Sequence, residues 1–124
     1  MSNIDKSKLT SRMKTSFGEY IRKLRTENGM TLTQLAAQLE LDSANLSKIE
    51  NGKREFDEKR LEKLATVFNL KLVDIKTEFF SDLFAKKIYE NNCSMETLMV
   101  AEEKVNYLKS KNVKQAELKF NSNE

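Results

Sequence analysis

An all-α fold is predicted for this chain by two observations. It contains no proline and only three glycines, Gly18, Gly29 and Gly52, too few backbone breakers for the many turns of a β-sandwich or barrel. Its apolar residues recur at intervals of three and four, the period of a helix with one buried face. A length of 124 residues allows one compact domain and some additional elements, not two large independent cores.

Phe17, Tyr20, Ile21 and Leu24 form the apolar stripe of a first helix, with Gly29 as its stop. A second helix carries Leu32, Leu35, Ala36 and Leu39. Its start is marked by Thr31 followed by Gln34, a capping box in which each residue satisfies an orphan amide of the first turn. After the short segment Glu40-Leu41-Asp42, Asp42 caps a third helix with Leu46 and Ile49 inward. Gly52 ends it, free to take the left-handed conformation of a helix stop. Asp57 caps a fourth helix, with Leu61, Leu64, Ala65 and Phe68 on one side. A fifth begins near Leu72 and continues through Ile75, Phe79, Leu83 and Phe84 to about Tyr89. Asn91, Asn92, Cys93 and Ser94 interrupt the pattern, and Ser94 is a good cap for a sixth. Leu98, Ala101, Val105 and Leu108 then alternate spacings of three and four, as in a helix–helix seam. From Asn112 the chain is polar and aperiodic, so the tail 112–124 is expected to be frayed or disordered. No internal repeat is present.

The formal net charge is +3, and its distribution is informative. The excess sits in an arm, residues 1–16, where Lys6, Lys8, Arg12 and Lys14 stand against Asp5; the remainder is balanced. Basic arms often reach along DNA, while a solvated start is the plainer alternative. One cysteine, Cys93, cannot form an internal disulfide, which points to a reducing, cytoplasmic location. The start MSNIDKSKLT lacks the apolar core of a signal peptide, and no apolar run is long enough to span a bilayer, so no membrane association is expected.

The same counts argue against catalysis. There is no histidine, no glycine-rich phosphate loop and no nucleophile arrangement of the Ser-x-x-Lys kind. Acidic residues such as Glu102 and Glu103 lie in ordinary helical charge patterns. Metal binding by cysteine and histidine is excluded by number. No catalytic residue, metal or cofactor is assigned.

Two short helices joined by a tight turn are the ingredients of a helix-turn-helix unit, and the residues that fill it are specific. The stretch MTLTQLAAQLELDSANLSKIENGKR, Met30 to Arg54, resembles the Cro and repressor family of phage and bacterial regulators, also called the Xre family. The resemblance covers roughly residues 17 to 76. It implies a five-helix lambda-repressor-like DNA-binding domain over 17–76, with an additional C-terminal helical extension over 77–111. It further implies a sequence-specific transcriptional regulator of double-stranded DNA, in the cytoplasm of a prokaryote and associated with the nucleoid through DNA.

In that family the third helix lies in the major groove with its N-terminal end against base edges. The matching base-reading positions are Ser43, Ala44 and Lys48, with Asn45 and Ser47 beside them. Lys48 can donate to guanine O6 and N7, Ala44 offers only apolar contact, and Asn45 would read adenine or hold a phosphate. With so many short side chains, much of the readout is expected through water or DNA shape. Phosphate contacts are expected from Thr33 and the first amides of the second helix, and from the loop residues Asn51, Lys53 and Arg54. The resemblance also pairs Arg25 with Glu50, a structural ion pair in which a planar guanidinium suits bidentate geometry. Ala36, where the two helices cross, permits close approach.

Three positions depart from the family pattern. Leu32 stands where Gln commonly begins the second helix and touches DNA, removing that contact. Glu40 stands where Gly usually allows the turn, which predicts a strained or altered turn. Phe56 replaces a frequent Pro before the fourth helix.

In the extension, Phe79, Phe80, Leu83, Phe84 and Ile88 are too many large apolar side chains for a solvated helix. They would either complete the monomer's core or bury against a second copy. A homodimer through residues 77–111 is the expected use, because a module with few base contacts gains from two-fold avidity, and family members usually bind near-palindromic sites as dimers. Cys93 reads as incidental at an interhelix turn. Other roles stay open at this point: a restriction–modification controller, an antitoxin of a toxin–antitoxin pair, or a protein-interaction module working through the C-terminal helices with a protein partner.

Overall fold

The computed structural model of the chain describes residues 16–122. All of the basic arm except Ser16 therefore lies outside the described residues. Among those described there are six α-helices and no strand: α1 Phe17–Glu27, α2 Leu32–Gln38, α3 Ser43–Glu50, α4 Leu61–Phe68, α5 Leu72–Glu90 and α6 Glu96–Ser122. A single 3-10 turn, Glu58–Arg60, leads into α4. No described helix is long and apolar enough to cross a membrane.

The helix starts follow local chemistry. Ser16 takes an extended conformation and its Oγ accepts from the Glu19 amide. At α2 both halves of the capping box are made: Gln34 N–H donates to Thr31 Oγ1 at 3.1 Å, and Thr31 N–H donates to Gln34 Oε1 at 2.9 Å. Asp42 Oδ1 accepts from the Asn45 amide at 2.7 Å to begin α3. Asp57 caps the 3-10 turn before α4, accepting from Lys59 N–H. Thr31→Ala is expected to cost about 1 kcal/mol, the usual worth of an N-cap, as a shift in urea midpoint without a change in slope.

The helix ends are equally regular. Each of the first five helices closes in a Schellman pattern, with one residue in the left-handed region and the next amide bonded back to a carbonyl of the last helical turn. The left-handed positions are Gly29, Glu40, Gly52, Asn69 and Asn92, and the returning amides are those of Met30, Leu41, Lys53, Leu70 and Cys93. Gly52, at φ +75, is a position where glycine avoids a steric penalty that other residues incur.

The chain divides into two compact units after Leu83. In the first, α1 to α4 and the beginning of α5 enclose a core whose centre is Ile21, Leu35, Leu39, Leu46, Leu64 and Ile75, all essentially fully buried. An aromatic group closes one side of it. Phe17 lies 5.1 Å from Phe79 in an edge-on contact and 5.6 Å from Phe56, and Phe79 is edge-on to Phe80 at 5.0 Å. Such pairs add to the gain from burial alone.

This arrangement moves the boundary expected at 76/77. Phe79 is buried in the first unit's core, and Phe80 and Leu83 pack against it, so that part of the anticipated extension completes the core of the helix-turn-helix domain. A cap reinforces the link: Phe17 N–H, an orphan donor of the first turn of α1, donates to Asp82 Oδ2 at 3.1 Å.

The second unit, from Phe84 onward, holds the end of α5 and the long α6. Here the expectation of a frayed tail from Asn112 is corrected: α6 continues to Ser122. The reason is propensity. Residues 112–122 contain neither Gly nor Pro, and Lys, Gln, Ala, Glu and Leu supply six of the eleven positions, all good helix formers. A polar, aperiodic sequence lacks a buried face, which is a different property from being unable to form a helix. The expected cap at Ser94 also shifts, since α6 begins two residues later at Glu96.

Candidate nucleic-acid interface

Eight residues of α3 are divided cleanly between core and solvent. Leu46, Ile49 and Glu50 are buried, Ala44 and Lys48 are exposed, and Ser43, Asn45 and Ser47 are half-buried. Steps of three and four place Ser43, Ala44, Ser47 and Lys48 on one outward face. Asn51, just past the helix, continues this face, its amide donating to Ser47 Oγ at 3.5 Å.

Around this face stand the other residues singled out from the sequence. Thr33, exposed in the first turn of α2, is tied to the start of α3 because Ser43 Oγ donates to Thr33 Oγ1 at 3.3 Å. Lys53 and Arg54 are exposed in the loop that follows α3. The structure brings Arg54 back across the helix start, where its guanidinium donates to Asn45 Oδ1. The Asn45 amide in turn donates to Asp42 Oδ2 at 2.8 Å. Asn45 therefore has both ends of its amide engaged, linking the cap of α3 to the loop cation, whereas Ser43, Ala44, Ser47 and Lys48 present their outward side to solvent.

The angle of this helix is held from behind. Arg25 on α1 forms a two-pronged pair with Glu50, Nε to Oε2 at 2.7 Å and Nη2 to Oε1 at 3.0 Å. Its remaining nitrogen, Nη1, donates to the Met30 carbonyl at 2.9 Å. The side chains are 13% and 4% exposed, so the pair is withdrawn from water and geometrically satisfied. The hydrogen bonding to Glu50 raises the guanidinium's pKa above its already high ordinary value, outweighing the opposing effect of burial. Nearby, Gly18 of α1 lies directly against the Ile49 and Glu50 carbonyls of α3.

The turn between α2 and α3 carries the strain anticipated for it. Glu40 has φ +59, the left-handed region that a residue with a Cβ resists. Two groups from beyond α3 grip this turn. Arg60 Nε donates to the Leu39 carbonyl at 3.0 Å, and Lys63 Nζ pairs with Glu40 Oε1 at 2.7 Å. That hydrogen bond, with the Lys63 charge, lowers the Glu40 carboxyl below its ordinary range.

Five participants escaped the sequence reading: Gly18, Phe56 as a core residue, Arg60, Lys63 and Asp82. Phe56 had a usable signal, since an apolar residue just before a cap followed by Leu61 has the spacing of a hydrophobic staple; both residues are buried. For Gly18, Arg60, Lys63 and Asp82 the contacts that matter here reach residues 20 to 65 positions away, and no local pattern announces them.

The sequence profile described as helix-turn-helix matches residues 21–75. Control protein C.MunI of a Mycoplasma species is 38% identical over 72 residues, which cover 57% of this chain and 92% of that protein. The chain belongs to the helix-turn-helix family. It is a DNA-binding transcriptional regulator of the Cro and repressor kind. The HTH-type transcriptional repressor RghR of Bacillus subtilis is 51% identical over 39 residues, 32% of this chain but only 29% of that repressor. Among solved structures, the restriction-modification controller protein C.AhdI of Aeromonas hydrophila superposes with a TM-score of 0.44 at 30% identity, covering 48% of this chain and 89% of that one. The helix-turn-helix match thus runs from Ile21, within α1, to the first turn of α5, with all of α3 inside it.

Proposed function

We propose that this regulator is a repressor that binds a near-palindromic duplex operator as a homodimer, with α3 in the major groove. The observation that carries the reading is the outward face of α3. An exposed cation, Lys48, stands among short side chains that allow close approach to base edges, beside a loop bearing Lys53 and Arg54. Lys48 is the side chain with reach for guanine, Ala44 meets an apolar group such as a thymine methyl, and Ser43 and Ser47 read through water. Thr33, Asn51, Lys53 and Arg54 hold phosphates, setting affinity and register. Asn45 belongs with this second group through its bond to Arg54.

Dimerisation is supported by the second unit. Leu98, Val105 and Leu108 recur at seam spacing on α6 and are 42%, 47% and 57% exposed, more apolar surface than a solvated helix carries without a partner. A second copy offers the same seam, and pairing would set two recognition helices about 34 Å apart, one turn of DNA.

Selection of bound sequences from random duplexes tests the proposal, with the enriched duplex re-measured at two salt concentrations. A near-palindromic consensus and a steep salt slope are expected; weak binding without enrichment would sink it in favour of a protein partner. Lys48→Ala should weaken the enriched duplex more than random duplex, by about 10-fold for the loss of one good base contact. Arg54→Ala should weaken both alike, and equal losses for Lys48→Ala would mean that α3 does not read bases. A second reading, a control protein of a restriction–modification system, is supported by the 38% identity to C.MunI over nearly its whole length. It differs in genetic setting, a methyltransferase or nuclease gene alongside, and not in the chemistry at α3.

A further inference from the structure

Five helices end in the same way, and one of the five uses the wrong residue for it. Gly29 and Gly52 adopt left-handed backbone without a Cβ, and Asn69 and Asn92 are of the type that tolerates it best after glycine. Glu40 has neither advantage, yet it closes the turn on which the angle between α2 and α3 depends. Its φ of +59 is kept although the residue's own preference opposes it, so something outside the turn must hold it.

Arg60 is placed to do so. From the 3-10 turn before α4, its Nε donates to the Leu39 carbonyl at 3.0 Å and its Nη2 to the Glu40 carbonyl at 3.4 Å. Nη1 is anchored on Asp57 Oδ2 at 3.1 Å. The Leu39 carbonyl, at the C-cap of α2, is among those that a helix end leaves without an internal partner, and the Glu40 carbonyl lies one residue beyond it. All three guanidinium nitrogens are engaged within the chain, which separates Arg60 from the loop cations that face solvent.

We propose that Arg60 is a positioning residue for DNA binding. Its guanidinium holds the α2–α3 turn in the left-handed geometry that Glu40 resists, and so sets the angle at which α3 meets the groove. The inference rests on α3 being the reading helix. It also accounts for the tolerance of a glutamate at this turn: the force that glycine makes unnecessary is supplied by the neighbouring element.

The test is a double-mutant cycle between positions 40 and 60, read on the full chain both by thermal unfolding and by affinity for the duplex enriched from a random pool. Affinities are measured at a temperature where circular dichroism shows every variant folded. Arg60→Ala should then weaken binding about 10-fold, the size of coupling seen between residues that share a local structure. Glu40→Gly alone should stay within about 2-fold of the parent, and the double variant should recover most of the loss, because glycine needs no clamp. Arg60→Lys, with one compact donor group, should fall between. A folded Arg60→Ala that binds like the parent would overturn the proposal, as would a double variant that loses as much as the single one. The unfolding arm involves no DNA. Absence of coupling there overturns the clamp itself, whereas a parent chain that enriches no sequence overturns the DNA reading on which it rests.

Discussion

Gly18→Ala should destabilise this protein by about 3 kcal/mol or more, the upper range for forced overpacking of a core, although it exchanges the poorest helix former but proline for the best. A Cβ at residue 18 would land on the Ile49 carbonyl oxygen, far inside van der Waals contact, and 3.2 Å from that of Glu50. Both are backbone atoms at the end of α3, so no side-chain rotation relieves the clash; α1 and α3 would have to separate. Because Phe17 and Ile21 on either side of Gly18 are core residues, separation also opens the core. The same substitution at the adjacent exposed position, Glu19→Ala, should change stability by no more than about 0.5 kcal/mol. Urea unfolding of the two variants decides the matter: a Gly18→Ala midpoint equal to the parent's would mean that α1 does not pack on α3 as described. Loss of DNA binding should follow the loss of folded protein.

Glu50→Ala should cost about 3–5 kcal/mol, the range for removing one partner of a buried ion pair. Arg25 donates three hydrogen bonds, two to the Glu50 carboxylate and one to the Met30 carbonyl, and deletion of Glu50 leaves a guanidinium in a site with little access to water. Arg25→Lys should also destabilise, since an ammonium cannot reproduce two parallel bonds and a third in the same plane. Replacing both residues by apolar ones, Arg25→Met with Glu50→Leu, should restore much of the stability lost by Glu50→Ala, because no charge is then stranded. A double variant no more stable than Glu50→Ala would mean that the cost does not come from a stranded guanidinium. The pH sign is fixed by the raised Arg25 pKa. Its contribution is complete at every pH below the ordinary guanidinium value and lost only as pH rises through the still higher folded one, so no weakening from this source is expected between about pH 6 and 10.

Of these two sites, the Arg25–Glu50 pair was implied by the resemblance, whereas the Gly18 contact was not legible in the sequence. Helix order, the capping box at Thr31 and Gln34, the stops at Gly29 and Gly52 and the cap at Asp42 were all readable because their causes are local: orphan amides and left-handed turns are satisfied within a few residues. The outward face of α3 was readable too, once Leu46 and Ile49 were assigned inward, since helical spacing then fixes where Ser43, Ala44, Ser47 and Lys48 point. Strain at Glu40 was anticipated from the residue type that stands there. The engagement of Asn45 by Arg54 and Asp42 was not, because a residue's free hydrogen-bonding capacity depends on how the following loop folds back.

Composition and periodicity by themselves determined an all-helical fold class and the approximate place of each helix start, since these follow from backbone chemistry and a 3.6-residue period, while the candidate reading face was implied by the resemblance to the Cro and repressor family. Tertiary structure alone decided that Phe79 belongs to the core with Phe80 packed against it, that Gly18 is a contact point between helices, and that Arg60 and Asp82 bond to a distant turn and a distant helix start. Each of these depends on two segments meeting in space, and the energy of such a meeting is a property of the pair that neither segment carries alone.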